Sequence, residues 1–225
     1  MAVRPRYGDQ AAMIKLSFAA SSLALLLAAC SSGPAQPDWQ NDAHQSLNSF
    51  SAAYLSGNTR LAEAEFQRAR NELARTGRLD LVARAELVRC GVQVASLELD
   101  TCPGFAALAS DAGEAERGYA DFLEGKAVAP SLLPAQYRTV ATKEKTALST
   151  IDSPLSRLIA AGVLFRRGDL DTSNIAIAVE TASSQGWRRA LLAWLEIQAR
   201  QAESQGDQNT AAQARRRAEL AGGQR

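Results

Sequence analysis

The chain has one histidine, three cysteines, two methionines and 6% aromatic residues in 225 positions. Each scarcity removes a class of function. A lone histidine, His44, excludes a two-histidine metal site and any zincin motif, and on the polar flank of a helix it reads as a surface side chain. The cysteine spacing fits neither a CxxC redox motif nor a zinc site, and no GxSxG string offers a nucleophilic serine. No metal and no cofactor is therefore expected. Neither sign of charge dominates, with 25 basic and 24 acidic residues, so the basic face that nucleic acid demands is missing. β-Branched runs between turn signals are scarce and alanine is abundant, which favours helix throughout. The uncharged run from Leu16 to Ala29 is 14 residues, short of the roughly 20 that a spanning helix needs.

That short run is informative for another reason. Arg4, Arg6 and Lys15 precede it, and it ends in Leu27-Ala28-Ala29-Cys30, the layout of a positive n-region and an apolar h-region before a small-residue cleavage point. Met13 could be the true initiator, since Met13-Ile14-Lys15 alone supplies the positive start. These residues resemble the lipobox of bacterial lipoproteins. The resemblance implies a signal peptide over 1–29 and diacylglycerol on the Cys30 thiol. Several acyl chains at about 0.8 kcal/mol per buried methylene would hold the chain to a membrane without spanning it. Ser31 stands where an aspartate would imply retention in the inner membrane, so the resemblance implies the outer membrane, facing the periplasm. Residues 30–37 then read as a lipidated tether, whose seven residues after the cysteine reach at most about 23 Å. Removing 1–29 takes away Arg4, Arg6, Lys15 and Asp9 and leaves 22 basic against 23 acidic residues.

The remaining residues, 38–225, read as one all-α domain of antiparallel helical hairpins. Trp39, Ala43, Leu47, Phe50 and Tyr54 recur at three- and four-residue steps until Gly57-Asn58 breaks the pattern. Leu61, Ala62, Phe66, Ala69 and Leu73 form a second stripe, closed by Gly77. From Leu79 to Leu99 two stripes coexist on nearly opposite sides: Leu81, Ala85, Val88, Val92, Ala95 and Leu99 on one, Ala83, Leu87, Cys90, Val94 and Leu97 on the other. Such a helix must be covered on both sides, which makes it the expected centre of the fold. Weaker helical patterns span 105–109 and 114–123, a loop follows over 126–134, and Pro134 opens a helix past Tyr137 and Val140. Ser153-Pro154 starts a helix that runs to Gly168-Asp169, and segments 172–184, 187–204 and 210–221 follow, the last two parted by Gly206-Asp207.

The hairpin turns share local wording: Tyr54, Gly57 and Asn58 followed by Ala62, Phe66 and Ala69; Phe165, Gly168 and Asp169; Gly206 and Asp207 followed by Ala211 and Ala218. This resembles tetratricopeptide repeats, in which a glycine ends the first helix and small residues let the second approach. Gly168 and Gly206 are 38 residues apart, near the repeat length of about 34, while 111 separate Gly57 from Gly168. The signature tryptophan, the Leu-Gly pair and the inter-repeat proline are absent from their expected places. The expected architecture is a right-handed repeat-like array or a compact helical bundle. By resemblance, lipoproteins with such repeats serve as scaffolds in β-barrel assembly, pilus biogenesis or the organisation of cell-wall enzymes.

Candidate chemistry is sparse. In an oxidising compartment Cys90 and Cys102 form a disulfide candidate, the alternative being two buried thiols. A continuous helix would hold their Cα atoms about 18 Å apart, beyond the roughly 7 Å that a bridge allows, so bonding requires the chain to fold back after about Leu97. Glu63 and Glu65, or Glu114 and Glu116, are two apart and point in different directions on a helix, which suits solvation better than paired acid–base work. Arg215, Arg216 and Arg217 fan around a terminal helix as a solvated face, or else meet anionic headgroups or an acidic partner. Trp187 and Trp194, seven apart, read as interhelix packing or as a partner contact. The leading expectation is a non-enzymatic, lipid-anchored adaptor for another envelope protein. The alternatives are a peptidoglycan-acting enzyme and a carrier of an apolar ligand.

Overall fold

Capping residues and left-handed glycines set the helix boundaries. The computed structural model describes residues 37–142 and 148–223. The described part is all-α, with no strand: α1 Asp38–Leu55, α2 Thr59–Ala74, α3 Leu79–Ala95, α4 Pro103–Ala106, α5 Glu114–Leu123, α6 Arg138–Ala141, α7 Pro154–Arg167, α8 Thr172–Ser184, α9 Arg188–Ser204 and α10 Gln208–Gly222. The side chains of Asn58, Ser153, Asp171 and Asp207 each accept from a backbone N–H three residues on, closing the N-termini of α2, α7, α8 and α10. Gly57, Gly168 and Gly206 turn the chain at φ of 89°, 74° and 77°, a region that other residues enter at a cost of about 1–2 kcal/mol.

Helix α3 is central. It packs against α1, α2, α5 and α7, and the residues of its second stripe from Ala83 to Val94 are buried. It ends at Ala95, four residues short of the expected Leu99, because the chain reverses through Leu97 at φ 63°. That reversal brings the Cys90 and Cys102 Cα atoms to 5.4 Å, and the two sulfurs are bonded. Helix α7 lies unusually close to α3: a Cβ on Gly162 would sit 2.3 Å from the Val94 carbonyl oxygen, so glycine sets that helix separation.

The hairpins α1–α2, α7–α8 and α9–α10 all form, and α8 also packs on α9. Helix α9 touches α1 as well, a contact between the first and last hairpins that a stack of nearest neighbours alone would not make. Trp194 of α9, at 0% exposure, packs edge-on against Phe165 of α7, and its indole N–H donates to the Ala95 carbonyl at 3.0 Å. It thereby satisfies an acceptor that the end of α3 would otherwise leave orphaned.

Between α3 and α7 the chain is less regular. The expected helix after Pro134 is a 3₁₀ turn, Ala135–Tyr137, continued by the single turn α6, and another 3₁₀ turn spans Pro130–Leu132. Arginines hold this segment. Arg167 donates to the carbonyls of Gly125, Lys126 and Val140 at 3.1, 3.0 and 2.9 Å, Arg138 to Leu133, and Arg157 to Ile151.

Candidate functional site

An apolar hollow of about 570 Å³ opens beside α3. Four segments build it. Helix α3 supplies Leu87 and Val88 from adjacent positions of its two stripes, α5 supplies Tyr119, the Pro130–Leu132 turn brings Leu132 over the opening, and the start of α7 supplies Ser156. The volume lies within the roughly 300–1,000 Å³ of small-molecule sites.

Its polar groups are few and converge. Tyr119 and Tyr137 stack at 5.7 Å, and both pack on buried Phe122. The Tyr119 and Tyr137 side chains influence one another, and Tyr137 also interacts with Ser156 and Gln136. Burial pushes the Tyr119 phenol well above its ordinary value, and neighbouring Tyr137 adds to the effect. Burial likewise raises Tyr137, against the lowering influence of its hydrogen-bond partners. Both phenols are therefore neutral at ordinary pH. Arg84 and Glu116 are the charged lining residues, and they pair at 2.8 Å. The hollow presents hydroxyls and apolar surface with its formal charges compensated.

The residues singled out from the sequence are scattered instead. Cys30 and the rest of segment 1–36 lie outside the described residues. Among those that are described, no helix is long and apolar enough to cross a membrane, and no cluster of metal-ligating side chains occurs. Trp194, read as interhelix packing or as a partner contact, is a packed core residue: its ring is fully enclosed and its N–H is spent on Ala95, so the partner-contact alternative is corrected. Trp187 is half-buried just before α9. Arg215 is paired with Glu203, Arg216 is exposed and Arg217 half-buried, so the three do not converge on one point. Glu63, Glu65 and Glu116 are engaged by Arg89, Arg68 and Arg84. His44 is exposed on α1 beside Asn48.

Sequence reasoning missed the hollow itself. Its signal was present in α3, whose double apolar stripe demanded cover on both sides, and in Tyr137, expected on a helix after Pro134 and found at the end of a 3₁₀ turn. Nothing in the periodicity says that Tyr119 and Tyr137 would meet. Comparison of the chain with protein-family models, with curated proteins and with solved structures finds no match.

Proposed function

We propose that the mature chain is a lipid-anchored protein on the periplasmic face of the outer membrane, and that its helical body is a non-catalytic adaptor for another envelope protein. The observation that carries this reading is the string Leu27-Ala28-Ala29-Cys30, followed by a short tether that leads directly into an all-helical body. Hairpin packing supports the adaptor part, since paired helices offer extended surfaces without needing a reactive centre. The pairing of Glu63, Glu65 and Glu116 with arginines supports it over a peptidoglycan-cleaving enzyme, whose general acid must be held with a raised pKa near the scissile bond. Trp187 and Arg216 remain available to a partner on the α9–α10 side.

The test is crosslinking of the palmitate-labelled protein in intact cells, beside a Cys30→Ser form. The expected result is label on the normal protein only, loss of envelope fractionation in Cys30→Ser, and one reproducible protein adduct that depends on the anchor. Envelope association without Cys30, or absence of palmitate, overturns the anchor. Muropeptide release that a single acidic substitution abolishes overturns the adaptor.

A further inference from the structure

Two apolar hollows meet on the part of α3 that its neighbours leave incompletely covered. The stripe through Ala83, Leu87, Cys90 and Val94 is buried along its length. On the other stripe Ala85, Val92 and Ala95 are sealed, while Leu81 and Val88 stay half-buried. An apolar helix face short of cover needs an occupant. The hollow of about 570 Å³ lies beside Leu87, Val88 and Gly91, a second of about 250 Å³ lies beside Trp39 and Leu81, and Arg84 and Val88 line both. Together they make an elongated track.

Four observations define what fits it. The track is small, whereas a stable protein partner covers about 800 Å² on each side, so a small molecule matches better than a protein surface. Its lining extends along α3 from Leu81 to Gly91, about 15 Å at 1.5 Å per residue, which suits a chain. Its charge is compensated by the Arg84–Glu116 pair, so an ionised headgroup would find no free cation there and would face a carboxylate. The hydroxyls of Tyr119, Tyr137 and Ser156 can each donate and accept, and all three residues line the larger hollow. We infer that this track binds a neutral single-chain lipid, its acyl chain lying along Val88 and Leu132 and its hydroxyl-bearing headgroup meeting Tyr119, Tyr137 and Ser156. The site goes beyond the adaptor function and does not depend on it.

The experiment places the full chain in phosphatidylcholine vesicles that contain a photoactivatable monoacylglycerol, and maps the adducts by peptide mass spectrometry. Label is expected to concentrate in peptides carrying residues 84–91, 119 and 131–137. It falls about tenfold in Val88→Trp, which fills the track, and in Leu132→Asp, which places a charge over it. In Tyr137→Phe the loss is about fivefold, the scale of one hydrogen bond. Leu132 sits on a three-residue turn, so its variant remains decisive if Val88→Trp fails to fold. Unlabelled monoacylglycerol competes, and the fatty-acid anion of the same chain length does not. Label spread evenly over the protein, or unchanged in Leu132→Asp, overturns the site. Equal competition by the anion overturns the neutral headgroup, and a protein adduct at 131–137 in cells in place of lipid overturns the occupant.

Discussion

The hairpins and the segment between α3 and α7 solve the same problem by different means. In the hairpins, backbone polar groups are satisfied within helices and at their ends by Asn58, Ser153, Asp171 and Asp207, all local to the sequence they close. Among the described residues between α3 and α7 regular helix is short, and arginines arriving from elsewhere hold the carbonyls: Arg167 and Arg157 reach from α7, and Arg166 donates to Asp100 at 3.0 Å. Local closure makes an element nearly autonomous. Closure by a distant side chain makes the segment hostage to the helix that supplies it, and the apolar hollow lies between the two regimes.

Replacing Trp194 by Ala should have the largest effect, about 3–5 kcal/mol in chemical denaturation, since it empties a fully enclosed aromatic site and orphans the Ala95 carbonyl. The loss should register cooperatively in both regions; separate transitions would show that they are not one folding unit. Removing the disulfide with Cys90→Ser and Cys102→Ser together should cost about 3 kcal/mol, the closure entropy of a loop of this length. Reduction of the unsubstituted protein should give a matching shift.

Arg167→Met separates the regimes more sharply. With three carbonyls left without their donor, the expected cost is about 2 kcal/mol, and amide exchange should accelerate over 125–141 while α1, α2 and α10 keep their protection. Equal acceleration everywhere would erase the contrast. The smallest effect belongs to the hairpin side. Burial, then the hydrogen bond and charge of Glu98, push Tyr54 up to about 12 from an ordinary 10, while Arg189 acts in the opposite sense. Folding therefore favours the neutral phenol. Its contribution is complete below the unfolded value near 10 and is lost as pH rises through about 12. Tyrosinate absorbance in the wild type and Tyr54→Phe should show that late titration; a Tyr54 that ionises near 10 would deny the burial.

The same contrast explains what could be read in advance. Helices α1, α2, α7, α8, α9 and α10 were legible because their periodicity, caps and turn glycines are neighbours in sequence, as at Tyr54 to Asn58 or Ser153-Pro154. The central role of α3 followed from its two stripes alone. What stayed hidden depends on partners far along the chain: Arg167 on Val140, Trp194 on Ala95, and the meeting of Tyr119 with Tyr137. The end of α3 shows both sides at once. The fold-back that a Cys90–Cys102 bond requires was foreseeable from helical rise, whereas the left-handed Leu97 that executes it carries no residue preference to announce it.

The tie between α9 and the N-terminal hairpin also dictates an order of assembly. Arg189 donates to Thr59 and lies 4.0 Å over the Tyr54 ring, as Trp194 closes on Ala95. A nascent chain that stops short of residue 187 has every residue of α1 to α3 yet lacks the pieces that seal them. Such early helices must wait, with apolar faces exposed, until the final sixth of the polypeptide arrives. Any factor that guards this protein before maturity should therefore recognise the unsealed flank of α1 and α3, and release it when α9 docks.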